Sequence, residues 1–321
     1  MLNRVCLVLA AFALASMAQA EPRSWKSEWP ETDFSRTSVE NWSEIISGGP
    51  PRDGIPALTD PDMVPAREEA RLDPREPVMT LELGNGARAY SVRYLMWHEI
   101  ANDVVAGQPV AVTYCPLCNT AMVFDRRVGD RVLEFGVSGK LRFSDMIMYD
   151  RQTESWWQQA LGTAIVGEMT GTQLTQLPAV MESWGDFLDR HPDGLVMDQP
   201  RTARQYGMNP YRGYDGSARP FLYRGENPPH GIEPLARVVR VGNRAWPIGR
   251  LRAAGEIREA GLVLRWQAGQ ASALDTAEIA QGRDVGTVRV TDDTGQPVVH
   301  DMPFAFAFHA FHPDGDWMLG D

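Results

Sequence analysis

Two stretches of this chain repeat one another at a constant offset. Gly86–Leu95 reads GARAYSVRYL and Gly242–Leu251 reads GNRAWPIGRL. Both follow Gly-x-Arg-Ala-aromatic-x-β-branched-x-x-Leu. Each follows an alternating apolar stretch (TLELGN, VVRVGN) and precedes Glu-Ile, at Glu99-Ile100 and Glu256-Ile257. Alternation that turns on Gly and Asn and then gives way to helical spacing predicts a β-hairpin followed by a helix. A chain that holds this unit twice is expected to be β-rich α+β, with duplicated β-hairpin-helix units and irregular wrapping segments.

The boundaries follow from composition. Arg4, the apolar run Val5–Ala15 and Ala18-Gln19-Ala20 predict a signal peptide over residues 1–20, cleaved after Ala20. The mature chain is then expected to be exported, periplasmic or extracellular. No later segment is apolar enough to span a bilayer. Residues 21–77, rich in Pro and charge around GGPPRDGIPAL, read as an irregular N-terminal wrapping segment docked through Trp25, Trp29 and Trp42. Residues 78–321 read as a single β-rich domain, with the two copies at about 78–198 and 236–321. Within it, RYLMWHEIAND is expected to be a short helix and PFAFAFHAF a last apolar strand. Residues 199–235, rich in Gly, Pro, Arg and Tyr, are expected to form a long loop. A net charge of −11 with no Lys/Arg run argues against nucleic acid as a partner. No protein partner can be read from the sequence.

Loss of the leader removes Cys6 and leaves Cys115 and Cys118 as the mature chain's cysteines. They lie in VAVTYCPLCNTAMVF, a strand, a tight turn and a second strand. Three readings stand open. In the first, the turn is a metal knuckle. Pro116 fixes φ after the first cysteine, and Asn119 tolerates the left-handed conformation after the second. Two thiolates then suit zinc or Cu(I) and need further ligands. In the second, the pair exchanges disulfides in an oxidising compartment. That chemistry usually places its first cysteine at a helix N-terminus, and here a strand follows. In the third, the pair is a local disulfide in a non-catalytic binding or structural module, where so small a loop stabilises little.

The segment WHEIAND lies just before the pair. His98 with Asn102, and Glu99 with Asp103, stand at i, i+4 on the expected helix. His98 is the candidate third ligand. Glu99 is the candidate catalytic residue, as a general base beside a metal-bound water or as an orienting group for His98. After the second copy of the repeat, Gly255 stands about where His98 does and no cysteine follows. Chemistry is therefore expected at the first copy alone. Whether the chain is an enzyme stays open. Trp156, Trp157 and Gln158 could line a pocket near Tyr149, with core packing the simpler role.

The blocks WHEIAND, VAVTYCPLCNTAMVFDRRV, LEFGVSGKL, MYDRQTESWW and GTAIVGEMTGTQL together resemble the bacterial family called domain of unknown function 3179, exported proteins with a YCPLC motif. The resemblance runs from about Gly54 to the end. It implies an exported or membrane-associated protein and supplies no established activity. The family pattern carries a small residue where Asn119 stands and Asn where Phe143 stands.

Overall fold

The computed structural model describes residues 23–320, so the expected leader lies outside the described residues. Five small sheets stand in the arrangement of a five-bladed β-propeller, with 37% of residues in strands and 15% in helices. This corrects the expected fold of duplicated hairpin-helix units. In chain order, the blades are built on the hairpin Pro77–Leu83/Gly86–Ser91, on Ile100–Val105/Gln108–Cys115/Thr120–Asp125, on Phe135–Arg142/Asp145–Asp150/Trp156–Gln158/Thr163–Val166, on Val238–Val241/Arg244–Pro247, and on Glu256–Glu259/Leu262–Gln267/Thr287–Asp292.

The repeat does form hairpin, helix, hairpin in both copies, with helices Val92–His98 and Ile248–Ala254. The two hairpins of each copy go to different sheets, however. The helix is the passage from one blade to the next, so the repeat marks a blade junction rather than half of a domain. Sequence periodicity records local pairing only, and hydrogen bonding between distant segments decides which sheet a hairpin joins.

The segment before Pro77 has a definite task. Ile45–Ser47, Leu58–Thr59 and Met63–Pro65 each add an outer strand to one of the first three blades, covering edges that would otherwise offer unpaired backbone groups. Trp25, Trp29 and Trp42 are buried with Tyr149 and Trp156. Trp29 packs edge-on to both of those rings, with centroids 4.8 and 5.4 Å away.

Two local expectations are also corrected. RYLMWHEIAND is not one helix. Ser91 caps the helix at its start, the helix ends at His98, Glu99 takes φ 59°, and Ile100–Val105 is a strand. The β-branched Ile100, Val104 and Val105 favour the strand once the cap has turned the chain. The i, i+4 pairing of His98 with Asn102 therefore does not exist. PFAFAFHAF is a helix over Ala305–Phe311, with Ala305, Phe306, Ala307 and Phe308 buried. An apolar run buried on all sides carries no period that separates strand from helix. Between residues 199 and 235 the regular structure is one short turn, Tyr214–Gly216, and this long loop folds back over the second and third blades.

Candidate metal centre

Two tight turns from neighbouring blades make the site. Cys115 ends one strand, Thr120 begins its partner, and the two are paired across the turn Pro116–Asn119. Asn119 takes the left-handed conformation, φ 54°, and its amide N–H reaches the Pro116 carbonyl. Its side chain donates to the Met302 carbonyl at 2.7 Å, while Phe304 N–H donates to the Cys118 carbonyl and Tyr214 Oη–H to the Leu117 carbonyl. The knuckle is thus held from three sides.

The second turn joins Phe135–Arg142 to Asp145–Asp150. Its two loop residues, Phe143 and Ser144, have φ 51° and 67°, the type I′ signature that favours Asn-Gly. Phe143 adopts this turn while packing edge-on to Phe311.

This turn delivers Asp145. One atom each from Cys115, Cys118 and Asp145 lies within 4.8 Å of the other two, and all three residues are buried. Two sulfurs bonded to one tetrahedral zinc at about 2.3 Å stand roughly 3.8 Å apart, so closure on an ion asks for a contraction of about 1 Å or less.

Asp145 is oriented from outside the cluster. Its Oδ2 accepts from Gln158 Nε2 at 2.6 Å and from Ala160 N–H at 2.9 Å. Its Oδ1 lies 3.2 Å from Thr120 Oγ1, but that hydroxyl is closer to Gln159 Oε1, at 2.7 Å. Gln159 Nε2 points at Thr113 Oγ1 and at the Thr120 carbonyl, an acceptor only, which fixes the amide. One hydroxyl proton serves one strong bond. On the side of the thiols the carboxylate takes a further hydrogen bond, from Cys118.

The electrostatics are those of acids crowded together without water. Burial raises the Asp145 pKa to about 6, against the hydrogen bonds that hold its charge. Burial raises the Cys115 thiol; a hydrogen bond with Cys118 offsets part of this, and Asp145 and Glu99 add to it. Cys118 is raised far more, by burial and then by Cys115 and Asp145. Glu99 is pushed up to about 8, by burial and by the Asp145 charge. Among the described residues none donates a hydrogen bond to the Glu99 carboxylate. A bound cation would reverse each of these shifts.

The sequence-derived candidates separate here. Cys115 and Cys118 come together. Glu99 bears electrostatically on Cys115 and feels Asp145, and it lines a neighbouring cleft. His98 does not belong to the cluster. Its Nδ1–H donates to the Pro56 carbonyl at 2.7 Å, and its Nε2 accepts from Tyr206 Oη–H. The imidazole is a buried neutral tie between two loops, its pKa lowered chiefly by burial. Asn102 pairs both ways with the Phe135 backbone of the next blade, at 2.9 Å, and Asp103 accepts from Arg88 and Tyr90. Sequence reasoning missed Asp145. The available signal was a carboxylate opening the apolar strand of SDMIMYD. It also placed Gly255 opposite His98, whereas the helix ends put Gly255 opposite Glu99.

A cleft of about 470 Å³ lies beside this site, lined by Glu99 and by Leu117 and Met146, chain neighbours of the cluster, but not by Cys115, Cys118 or Asp145 themselves. Glu99, Leu117 and Met146 form its inner end, Leu141 and Phe221 lie along its walls, and Tyr211 and Arg212 come from the long loop.

The family profile for the protein of unknown function DUF3179 matches residues 52–315. The chain belongs to this family. No curated protein and no solved structure was found to match it. The match to DUF3179 spans both turns of the cluster, Glu99 and the whole loop that walls the cleft.

Proposed function

We propose that this DUF3179 protein binds a metal ion through Cys115, Cys118 and Asp145, with an open position beside Glu99 facing the cleft. The observation that carries the reading is the convergence of three ligand atoms from two blades in a buried place where the groups that bear most on the two thiols are acidic. Buried like charges are costly, and a divalent cation is the chemistry that relieves them. Two thiolates with one carboxylate and a vacant fourth corner suit zinc, whereas Cu(I) prefers soft ligands throughout. In such a site zinc polarises a bound water or carbonyl oxygen. Glu99, pinned at the cleft's inner end, would accept or hand on a proton there. We further propose that the protein works outside the cytoplasm, on the strength of the leader pattern at residues 1–20.

Thiol–disulfide exchange is the weaker reading. Reactive cysteines are exposed and their pKa is depressed. Cys115 and Cys118 are buried, and their pKa is raised.

The test is the metal content of protein purified under reducing conditions. About one zinc per chain is expected, lost in Cys118→Ser and Asp145→Asn and retained in His98→Ala. Metal content that is unchanged in Cys118→Ser, or reduced protein that takes up no zinc, overturns the proposal. Copper in place of zinc would overturn the choice of ion.

A further inference from the structure

The cleft has a polar order that points to a class of ligand. At its inner end stand Glu99 and the Tyr211 hydroxyl, which has no hydrogen-bond partner among the described residues. Its walls are apolar. At its outer edge is Arg212, an exposed residue that, among the described residues, makes no ion pair and no hydrogen bond. The other cation of the lining, Lys140, is already paired with Glu28 at 2.7 Å. Phe221 lines the same cleft and is 56% exposed, although its backbone is fixed by Tyr214 and Ser144.

We propose that the cleft binds an amphipathic organic anion, with its carboxylate or phosphate on Arg212 and its apolar body along Leu141 and Phe221. A guanidinium without a competing carboxylate offers a two-pronged site for either head group. The volume is that of a small-molecule site with apolar walls and few polar anchors. The inner end offers the head group no cation, since Glu99 and the Tyr211 hydroxyl stand there. Any contact between the ligand's far end and a metal would rest on the function proposed above. The pairing of its head group with Arg212 does not.

The experiment uses the full chain, with zinc content measured on every sample, and titrates 4-phenylbutyrate, 4-phenylbutyl phosphate and the uncharged 4-phenylbutanol by calorimetry. At least one anion is expected to bind more tightly than the alcohol and to lose about tenfold or more in Arg212→Gln, while the alcohol's affinity stays the same. The anion that binds more tightly identifies the head group. Phe221→Ser is expected to weaken anion and alcohol alike, by about tenfold. Binding of neither anion, anion binding that survives Arg212→Gln, or indifference to Phe221→Ser overturns the proposal. If wild-type protein holds no zinc but binds an anion through Arg212, the metal reading fails and this one stands. If zinc is bound and Arg212→Gln changes nothing, this one fails alone.

Discussion

Glu99 occupies the position that Gly255 holds in the second hairpin–helix–hairpin. Each is the C-terminal cap of its helix, with φ/ψ of 59°/−31° and 73°/−44°, and each N–H bonds the carbonyl four residues back, on Leu95 and Leu251. Glycine adopts such a backbone without steric cost, and other residues do not. The first copy thus tolerates strain at the one position where its side chain enters the candidate site, and strain of this kind concentrates at functional sites.

Replacing Glu99 by Gly in the zinc-free protein should therefore stabilise the fold, by about 1–3 kcal/mol from backbone relief alone. Urea unfolding of the two proteins measures this. Equal or lower stability in the variant would show that the cap is not strained. The zinc-loaded variant should keep its metal but lose any reaction of a metal-bound water.

Gln158 touches no sulfur, yet it holds Asp145 Oδ2. Gln158→Met keeps the volume and removes that bond, so zinc affinity should fall about 10- to 100-fold, the usual cost of losing an outer-sphere partner. Competition with a coloured chelator reads the affinity. An unchanged value would mean that the Ala160 N–H orients the carboxylate alone.

His98 stabilises without ligating. His98→Ala leaves a cavity and strands the Pro56 carbonyl, so a loss of about 2–4 kcal/mol is expected. The zinc content should not change. Loss of zinc at unchanged stability would restore the histidine to the ligand set.

His312 supplies a pH dependence of stability. Burial, with a smaller push from Arg240, lowers its pKa from 6.5 to about 4. The unfolded chain then binds the proton more readily than the folded one between those values. Stability from this group is complete above pH 6.5 and declines as pH falls toward 4. With the ring partly exposed, the loss is on the order of 1 kcal/mol. His312→Gln should flatten that limb of the stability profile. A profile identical to wild type would exclude the group.

Much of the local structure is legible in the sequence. The Gly-x-Arg-Ala repeat does turn as a hairpin and continue into a helix, because turn residues and apolar spacing act over a few positions. ESWGDFLDRHP gives a helix over Trp184–Arg190 that starts on the Ser183 cap and ends before Pro192. The knuckle geometry at Pro116–Asn119 follows from residues that set their own φ. What stayed hidden is what depends on distant segments. Five blades, rather than two duplicated halves, arise because each hairpin chooses its sheet by long-range pairing. Asp145 joins Cys115 and Cys118 from thirty residues away because two turns of adjacent blades meet. His98, seventeen residues from Cys115 and the nearer candidate along the chain, is drawn instead to Pro56 and Tyr206. The sequence alone determined which residues could bind an ion. The packing of one blade against the next decided which of them share a point in space, since ligation requires atoms within a few ångströms and the one-dimensional chain carries no such distance.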